Sequence, residues 1–352
     1  MAALYIVIAI LLFGVLILVH EFGHFICAKL FGVQVNEFSL FMGPALFKRT
    51  KGETTYSLRC IPIGGYCAME GEDGESENPR AFGNTKVWKR LIILVAGSLM
   101  NFVAGFIMTV LYVSLAYPYV PTTELTAIEE NSLIATGEYG LQPGDELYSI
   151  DGERVYINAD ITMLLSRNDT GVYDIVVLRD GEKVLLDDFS MVTYDDNGVQ
   201  RYGMNFAVED KKVGNLLGFS FSYCRDFARL VRLGLQDLIT GRASLGEMGG
   251  PVMIVETVVQ AGVESETVGI GLINVLYFFA FIAINLGVMN LLPIPALDGG
   301  RAVCLLLTAS IEKIIGRKIN PKYEGYLHGA FMLLLLAFMA LITFKDIFNL
   351  FR

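Results

Sequence analysis

Four uncharged runs constrain this chain more than any other feature: Ala2–Val19, Leu91–Tyr117, Thr267–Leu297 and Gly325–Phe344. Each is close to or beyond the roughly 20 residues a helix needs to cross a hydrocarbon core about 30 Å thick. No water waits inside that core, so a segment there must satisfy its own backbone donors and acceptors, as a helix does. Four transmembrane helices are therefore expected, and an apolar content of 53% fits them. The first run lacks the basic leader and small-residue cleavage site of a signal peptide, so it is read as a span.

Charge orients these spans. Residues Lys29 to Arg90 hold nine Lys and Arg, among them Lys48, Arg49, Lys86, Lys89 and Arg90, and the segment after the third span carries Arg301, Lys313, Arg317 and Lys322. Short basic loops mark the cytoplasmic side. The N-terminus, the C-terminus and the stretch Pro118–Glu264 are then extracytoplasmic. That stretch carries 24 Asp and Glu against 11 Lys and Arg, and nothing in it offers the basic stripe that nucleic acid would need. Five cysteines spread over both sides make no disulfide framework, and the spacing of Cys60 and Cys67 fits no standard zinc knuckle.

Between the first two spans, "TTYSLRCIPIGGYCAMEGE" has strand character on either side of Gly64–Gly65, which reads as a hairpin turn. Residues 121–208 read as a small mixed domain. Asp180–Gly181 sits between two strand-like runs, a strong short-hairpin signal, and "ADITMLLSR" reads as a short helix. "GLQPGDELYSIDGERV" resembles the core of a PDZ domain, a fold able to take an extended peptide as an added strand. Beyond it, Phe227, Leu230, Val231, Leu235 and Leu238 recur at helical spacing opposite Arg225, Arg229 and Arg232. Such a helix either lies in the membrane interface or packs on the domain.

"HEFGH" at His20–His24 carries the chemistry. On a helix, residues four apart share a face, so both imidazoles can reach one zinc ion. Glu21 between them is placed to take a proton from a water that zinc has acidified. Polar groups at the edge of a span are expensive, which favours function over decoration. A catalytic zinc wants a third protein ligand, and "FICAKLFGV" immediately downstream offers none. The candidate is Asp298 in "NLLPIPALDGGR", the first ionisable group after the long uncharged run, where Pro293 and Pro295 interrupt the helix. Irregular backbone at that depth is tolerated where protein buries it or where it lines a watery cavity. His328, near the start of the fourth span, reads as an interfacial histidine, since a fourth ligand would close the open metal position.

"HEFGH" after a first span and "NLLPIPALDGG" closing the third resemble the site-2 protease family of intramembrane zinc metalloproteases. One PDZ-like domain between spans two and three resembles its bacterial, sigma-factor-regulating branch. "GGYCAMEGE", "AFGNTKVWKRLIILVAGSLMNFVAG" and "GGPVMI" are similar to further family elements, although Ala96–Gly97–Ser98 stands where the family usually has Ala-Gly-Pro. The resemblance implies an α-helical integral membrane protein with four transmembrane helices, a membrane-associated β-hairpin and an inserted extracytoplasmic PDZ-like α+β domain. It divides the chain into 1–117 (first two spans, zinc motif and hairpin), 118–208 (PDZ-like domain), 209–264 (amphipathic connection) and 265–352 (last two spans and third ligand). It implies Zn2+ on His20, His24 and Asp298 with Glu21 as base. Asn290, Pro293, Pro295, Gly64 and Gly65 would position substrate. The expected substrates are single-pass transmembrane proteins, such as anti-sigma factors or remnant signal peptides, cut in the bacterial cytoplasmic membrane. Two rival classes remain open on sequence: a membrane-anchored peptide-binding adaptor, and a zinc transporter, although a transporter needs ligands strung across the membrane and only one cluster is visible.

Overall fold

The computed structural model describes residues 1–350 apart from 73, 75, 135, 137–139, 197, 245–248, 318, 319 and 321, with backbone alone at 62, 63, 349 and 350. The described residues form two compact units, Met1–Tyr112 with Leu230–Arg352, and Val113–Arg229.

The first unit contains helix α1 (Ala2–Leu30), strands β1 (Val35–Lys51) and β2 (Thr54–Met69), and most of α2 (Val87–Ala116). Among the described residues, four helices are long and apolar enough to cross a membrane: α1, α2 and two later ones introduced below. On α1, Tyr5, Ala9, Leu16, His20 and His24 face inward, whereas Leu4, Val7, Leu11 and Val15 are exposed. An apolar exposed face is what lipid contact asks for, because hydrocarbon imposes no penalty on it. Close helix approach depends on missing side chains. A β-carbon at Gly23 would lie 2.4 Å from the carbonyl oxygen of Ala96 on α2, the small-residue contact common between membrane helices.

β1 and β2 pair antiparallel in two stretches, Val35 opposite Met69 to Leu40 opposite Gly65, and Met42 opposite Ile61 to Lys51 opposite Thr54. The turn that joins β1 to β2 lies at Gly52, with φ +63°, and a second reversal lies before Gly65. The stretch that begins at Thr54 is β2, and its partner is the 17-residue strand immediately upstream. Gly64, with φ +73°, lies inside β2. There the chain doubles back: Phe38 faces both Tyr56 and Cys67, and Leu40 faces both Leu58 and Gly65. Among the described residues, no further strand pairs with the outer side of Gly65–Met69.

The second unit has strands β3 (Val120–Ile128), β4 (Glu146–Ile150) and β5 (Glu153–Arg154), helix α3 (Asn158–Leu165), and strands β6 (Val172–Arg179), β7 (Glu182–Ser190), β8 (Tyr194–Asp196), β9 (Val199–Arg201) and β10 (Met204–Glu209). Its main sheet runs β10-β3-β4-β6-β7 with β5 beside β4. Leu125, Leu147, Ile150, Ile161, Leu165, Ile175 and Val177 fill the core under it. Asp180 and Gly181 join β6 to β7 with φ +52° and +83°, the paired left-handed geometry of a tight hairpin. Asp145 is buried and bidentate: Arg179 Nε reaches Oδ1 and Nη2 reaches Oδ2, each at 2.8 Å.

Helix α4 (Val213–Thr240) begins in this unit. Its Arg229 donates to Asp226 and, at 2.7 Å, to Asp160 Oδ2, a triad with little access to solvent. Burial next to Asp160, which outweighs the attraction of Arg229, pushes the Asp226 carboxyl up to about 6.

Back in the first unit follow α5 (Pro251–Val263), α6 (Val268–Asn290), α7 (Asp298–Ile315) and α8 (Lys322–Leu350), with α6 and α8 the third and fourth candidate spans. Thr267 caps α6 by accepting from the Ile270 N–H. The two prolines just beyond Asn290 prevent its continuation. Gly316 in the left-handed region ends α7. Asp346 on α8 is buried and accepts from the N–H groups of Gly250 (2.9 Å) and Met253 (3.2 Å) at the start of α5, satisfying donors that a helix leaves free.

Candidate active site

The site is assembled from α1, α2 and the first turn of α7. His20 and His24, one helical turn apart on α1, are 9% and 7% exposed. Their Nε2 atoms lie 3.3 Å apart. Asp298 Oδ2 lies 3.1 Å from His20 Nε2 and 3.2 Å from His24 Nε2. Asp298 arrives there because α6 stops at Asn290 and seven residues of loop deliver the next helix. Two glycines make that delivery possible. A β-carbon at Gly299 would lie 2.2 Å from the Leu291 oxygen, and one at Gly300 would lie 2.1 Å from the Ile294 oxygen. The first turn of α7 can therefore press on its own loop only with no side chains in between.

The three converging atoms fit a zinc ion. His24 Nδ1 donates to the Ile93 carbonyl at 2.8 Å, so a neutral His24 turns the lone pair of Nε2 inward. It faces a carboxylate oxygen, Asp298 Oδ2, that is buried with no hydrogen-bond partner. Lone pairs held this close call for positive charge between them, a proton or a metal ion. Zinc bonds of about 2.0–2.2 Å in a tetrahedron place ligand atoms roughly 3.3–3.6 Å apart, close to the separations found. No other group of three or more His, Cys, Asp or Glu among the described residues is arranged to hold a metal.

A cavity of about 1850 Å³ opens on the cluster. His20, Glu21, His24 and Asp298 line it, together with β2 residues Gly65–Met69. Glu21 and Cys67 face the same cavity, which places the acid beside the β2 edge. A β-carbon at Gly65 would come within 2.9 Å of Ile17 and 3.4 Å of Glu21 Cγ, so a side chain there would push the edge off α1. Of the substrate-positioning candidates, Gly65 lines the cavity; Gly64, Asn290, Pro293 and Pro295 are not among its described lining residues. His328 also lines it and accepts from the Ala296 N–H at 3.0 Å through Nδ1, bracing the loop that carries Asp298.

Three contributions from α2 escaped the sequence reading. Ile93 provides the carbonyl that orients His24. Asn101, fully buried, puts its amide 3.1 Å from His20 Nδ1. Gly97 leaves room for both rings. A lone amide and a glycine within an apolar run were the available signals.

Residues 8–338 match the family model of peptidase family M50. The chain belongs to peptidase family M50. This M50 chain is 35% identical over 348 residues to a Clostridium perfringens protein whose name places it among the zinc metalloproteases, covering 98% of each. It is 28% identical to the Regulator of sigma-W protease RasP of Bacillus subtilis, and 29% identical to the Zinc metalloprotease RasP of Bacillus licheniformis. Both alignments cover 97% of this chain and 98% of the relative. As an M50 member it is a metalloprotease with Zn2+ as cofactor, and its apolar helices make it a multi-pass membrane protein.

Proposed function

We propose that this M50 protease holds zinc on His20, His24 and Asp298 and uses Glu21 as general base to cut single-pass membrane proteins within the bilayer. One observation carries the reading: two imidazole nitrogens and a carboxylate oxygen, from helices distant in sequence, converge to 3.1–3.3 Å beside a carboxylate in a shared cavity. When bound, zinc supplies Lewis-acid activation of a water and of the scissile carbonyl. Glu21 takes the proton of the attacking water and returns it to the leaving amine.

A helical substrate keeps its carbonyls in internal hydrogen bonds, so the scissile stretch must unwind. Among the described residues no further strand pairs with the outer side of Gly65–Met69, which lines the same cavity. Pairing with it would replace the lost bonds by strand addition. Gly64, Asn290, Pro293 and Pro295 would then act by shaping that edge and the Asp298 loop.

The substrate class follows the Bacillus relative named for sigma-W regulation: membrane-anchored anti-sigma factors, or remnant signal peptides. The protein would sit in the bacterial cytoplasmic membrane with both termini outside. Segment 118–208 would be an extracytoplasmic PDZ-like domain that binds peptide or screens substrates, flanked by 1–117, the connection 209–264 and the span pair 265–352.

Replacing Glu21 by Gln tests the division of labour. Glu21→Gln should keep stoichiometric zinc and lose cleavage by about 10²–10⁴-fold, the usual scale of a general base. Asp298→Ala should lose zinc as well. Cleavage by Glu21→Gln at the wild-type rate would sink the mechanism.

A further inference from the structure

His24 and His20 turn the same nitrogen, Nε2, toward Asp298, but their opposite nitrogens meet different groups. His24 Nδ1 meets a carbonyl, the Ile93 oxygen, which can only accept. His20 Nδ1 meets the side-chain amide of Asn101 on α2 at 3.1 Å, with amide Nδ2 facing the ring. Amide Oδ1 is buried and has no hydrogen-bond partner, in a residue with no exposed surface. A nitrogen-to-ring contact suits a His20 protonated on Nε2. That proton would point at Asp298 Oδ2, 3.1 Å away, and the lone pair needed by a metal would be on the wrong side of the ring. For Nε2 to bind zinc, the proton must move to Nδ1, where it needs an acceptor. A half-turn of the amide exchanges its two ends at almost no cost in shape. It brings the orphaned oxygen to the ring and removes the clash of two donors.

Resting on the ligand assignment above, we infer that Asn101 is the positioning residue that selects the His20 tautomer. Its amide oxygen accepts from Nδ1–H when zinc is held. The residue touches neither zinc nor substrate. Its action is on the first ligand, through the side of the ring remote from the metal.

Two substitutions separate acceptor from filler. Asn101→Leu keeps the volume and removes the acceptor; Asn101→Asp keeps an oxygen that can only accept. Competition against a zinc chelator, with purified full-length protein, should show Asn101→Leu binding zinc about 10–100-fold more weakly and Asn101→Asp within about tenfold of wild type. The visible absorption of the cobalt-substituted protein should change in Asn101→Leu and not in Asn101→Asp. Wild-type zinc affinity in Asn101→Leu, or equal loss in both variants, overturns the inference. If Asn101→Leu fails to insert, 15N spectra of zinc-loaded wild-type protein labelled at histidine decide it: His20 protonated at Nδ1 supports it and protonation at Nε2 overturns it. Asp298→Ala is the parallel control. Zinc retained there means the ligand assignment itself fails; zinc lost there but kept in Asn101→Leu means only the role of Asn101 fails.

Discussion

Gly97 and His24 touch: a β-carbon at Gly97 would lie 2.4 Å from His24 Nε2 and 2.8 Å from His20 Cε1. The second span therefore forms a wall of the His20–His24–Asp298 cluster and contributes none of its three side chains. Backbone closeness, and not a functional group, is what α2 supplies at this point.

A methyl group at Gly97 must displace a ring that Ile93 and Asp298 already hold. Gly97→Ala should insert normally, since alanine favours helix over glycine, yet bind zinc at least tenfold more weakly and lose cleavage in proportion. Zinc content by atomic spectroscopy, with thermal unfolding as the control for folding, checks it. Wild-type zinc content would show that the rings can move aside freely.

The buried triad of the second unit predicts a pH dependence. Burial raises the Asp226 carboxyl from its ordinary 3.8 to about 6. A carboxyl whose folded value is raised binds its proton more tightly in the folded state. Its contribution to stability is then fully present below about pH 4 and lost as pH rises through about 6. Asp226→Asn cannot ionise and escapes that loss. The unfolding midpoint of Asp226→Asn relative to wild type should therefore rise between about pH 4 and pH 6 and stay level above pH 7, an effect of at most about 3 kcal/mol. A gap independent of pH would mean that Asp226 stays ionised beside Arg229 throughout.

Membrane orientation is open to a thiol test, because all five cysteines are free. Cys60 is exposed and Cys67 buried, so in the proposed orientation Cys60 is the informative inner-side probe and Cys224, half-buried on α4, the outer one. In intact cells a membrane-impermeant maleimide should label Cys224 and spare Cys60, and lysis should make Cys60 react. Labelling of Cys60 before lysis would invert the arrangement.

The sequence by itself determined the four apolar helices, because a bilayer leaves backbone no other way to satisfy itself and demands length and apolarity from contiguous residues. It determined the His20–Glu21–His24 constellation for the same reason: helical periodicity alone puts both rings on one face. The Asp180–Gly181 hairpin was equally local, since two left-handed residues suffice to specify it. Asp298 was legible as the lone acid ending an apolar run, but only the tertiary structure decided that its Oδ2 meets both rings, because a loop and two glycines must fold before it can. Whatever depends on contacts between segments distant in sequence was invisible beforehand. β1 found its partner across Gly52 and then served two lanes of β2, a pairing that no strand pattern within Thr54–Met69 could announce. Ile93, Gly97 and Asn101 carry no chemical motif of their own, and in an apolar helix a carbonyl, a missing side chain and an amide read as packing. They came to surround His20 and His24 only when α2 came to lie against α1 at the distance of one missing β-carbon.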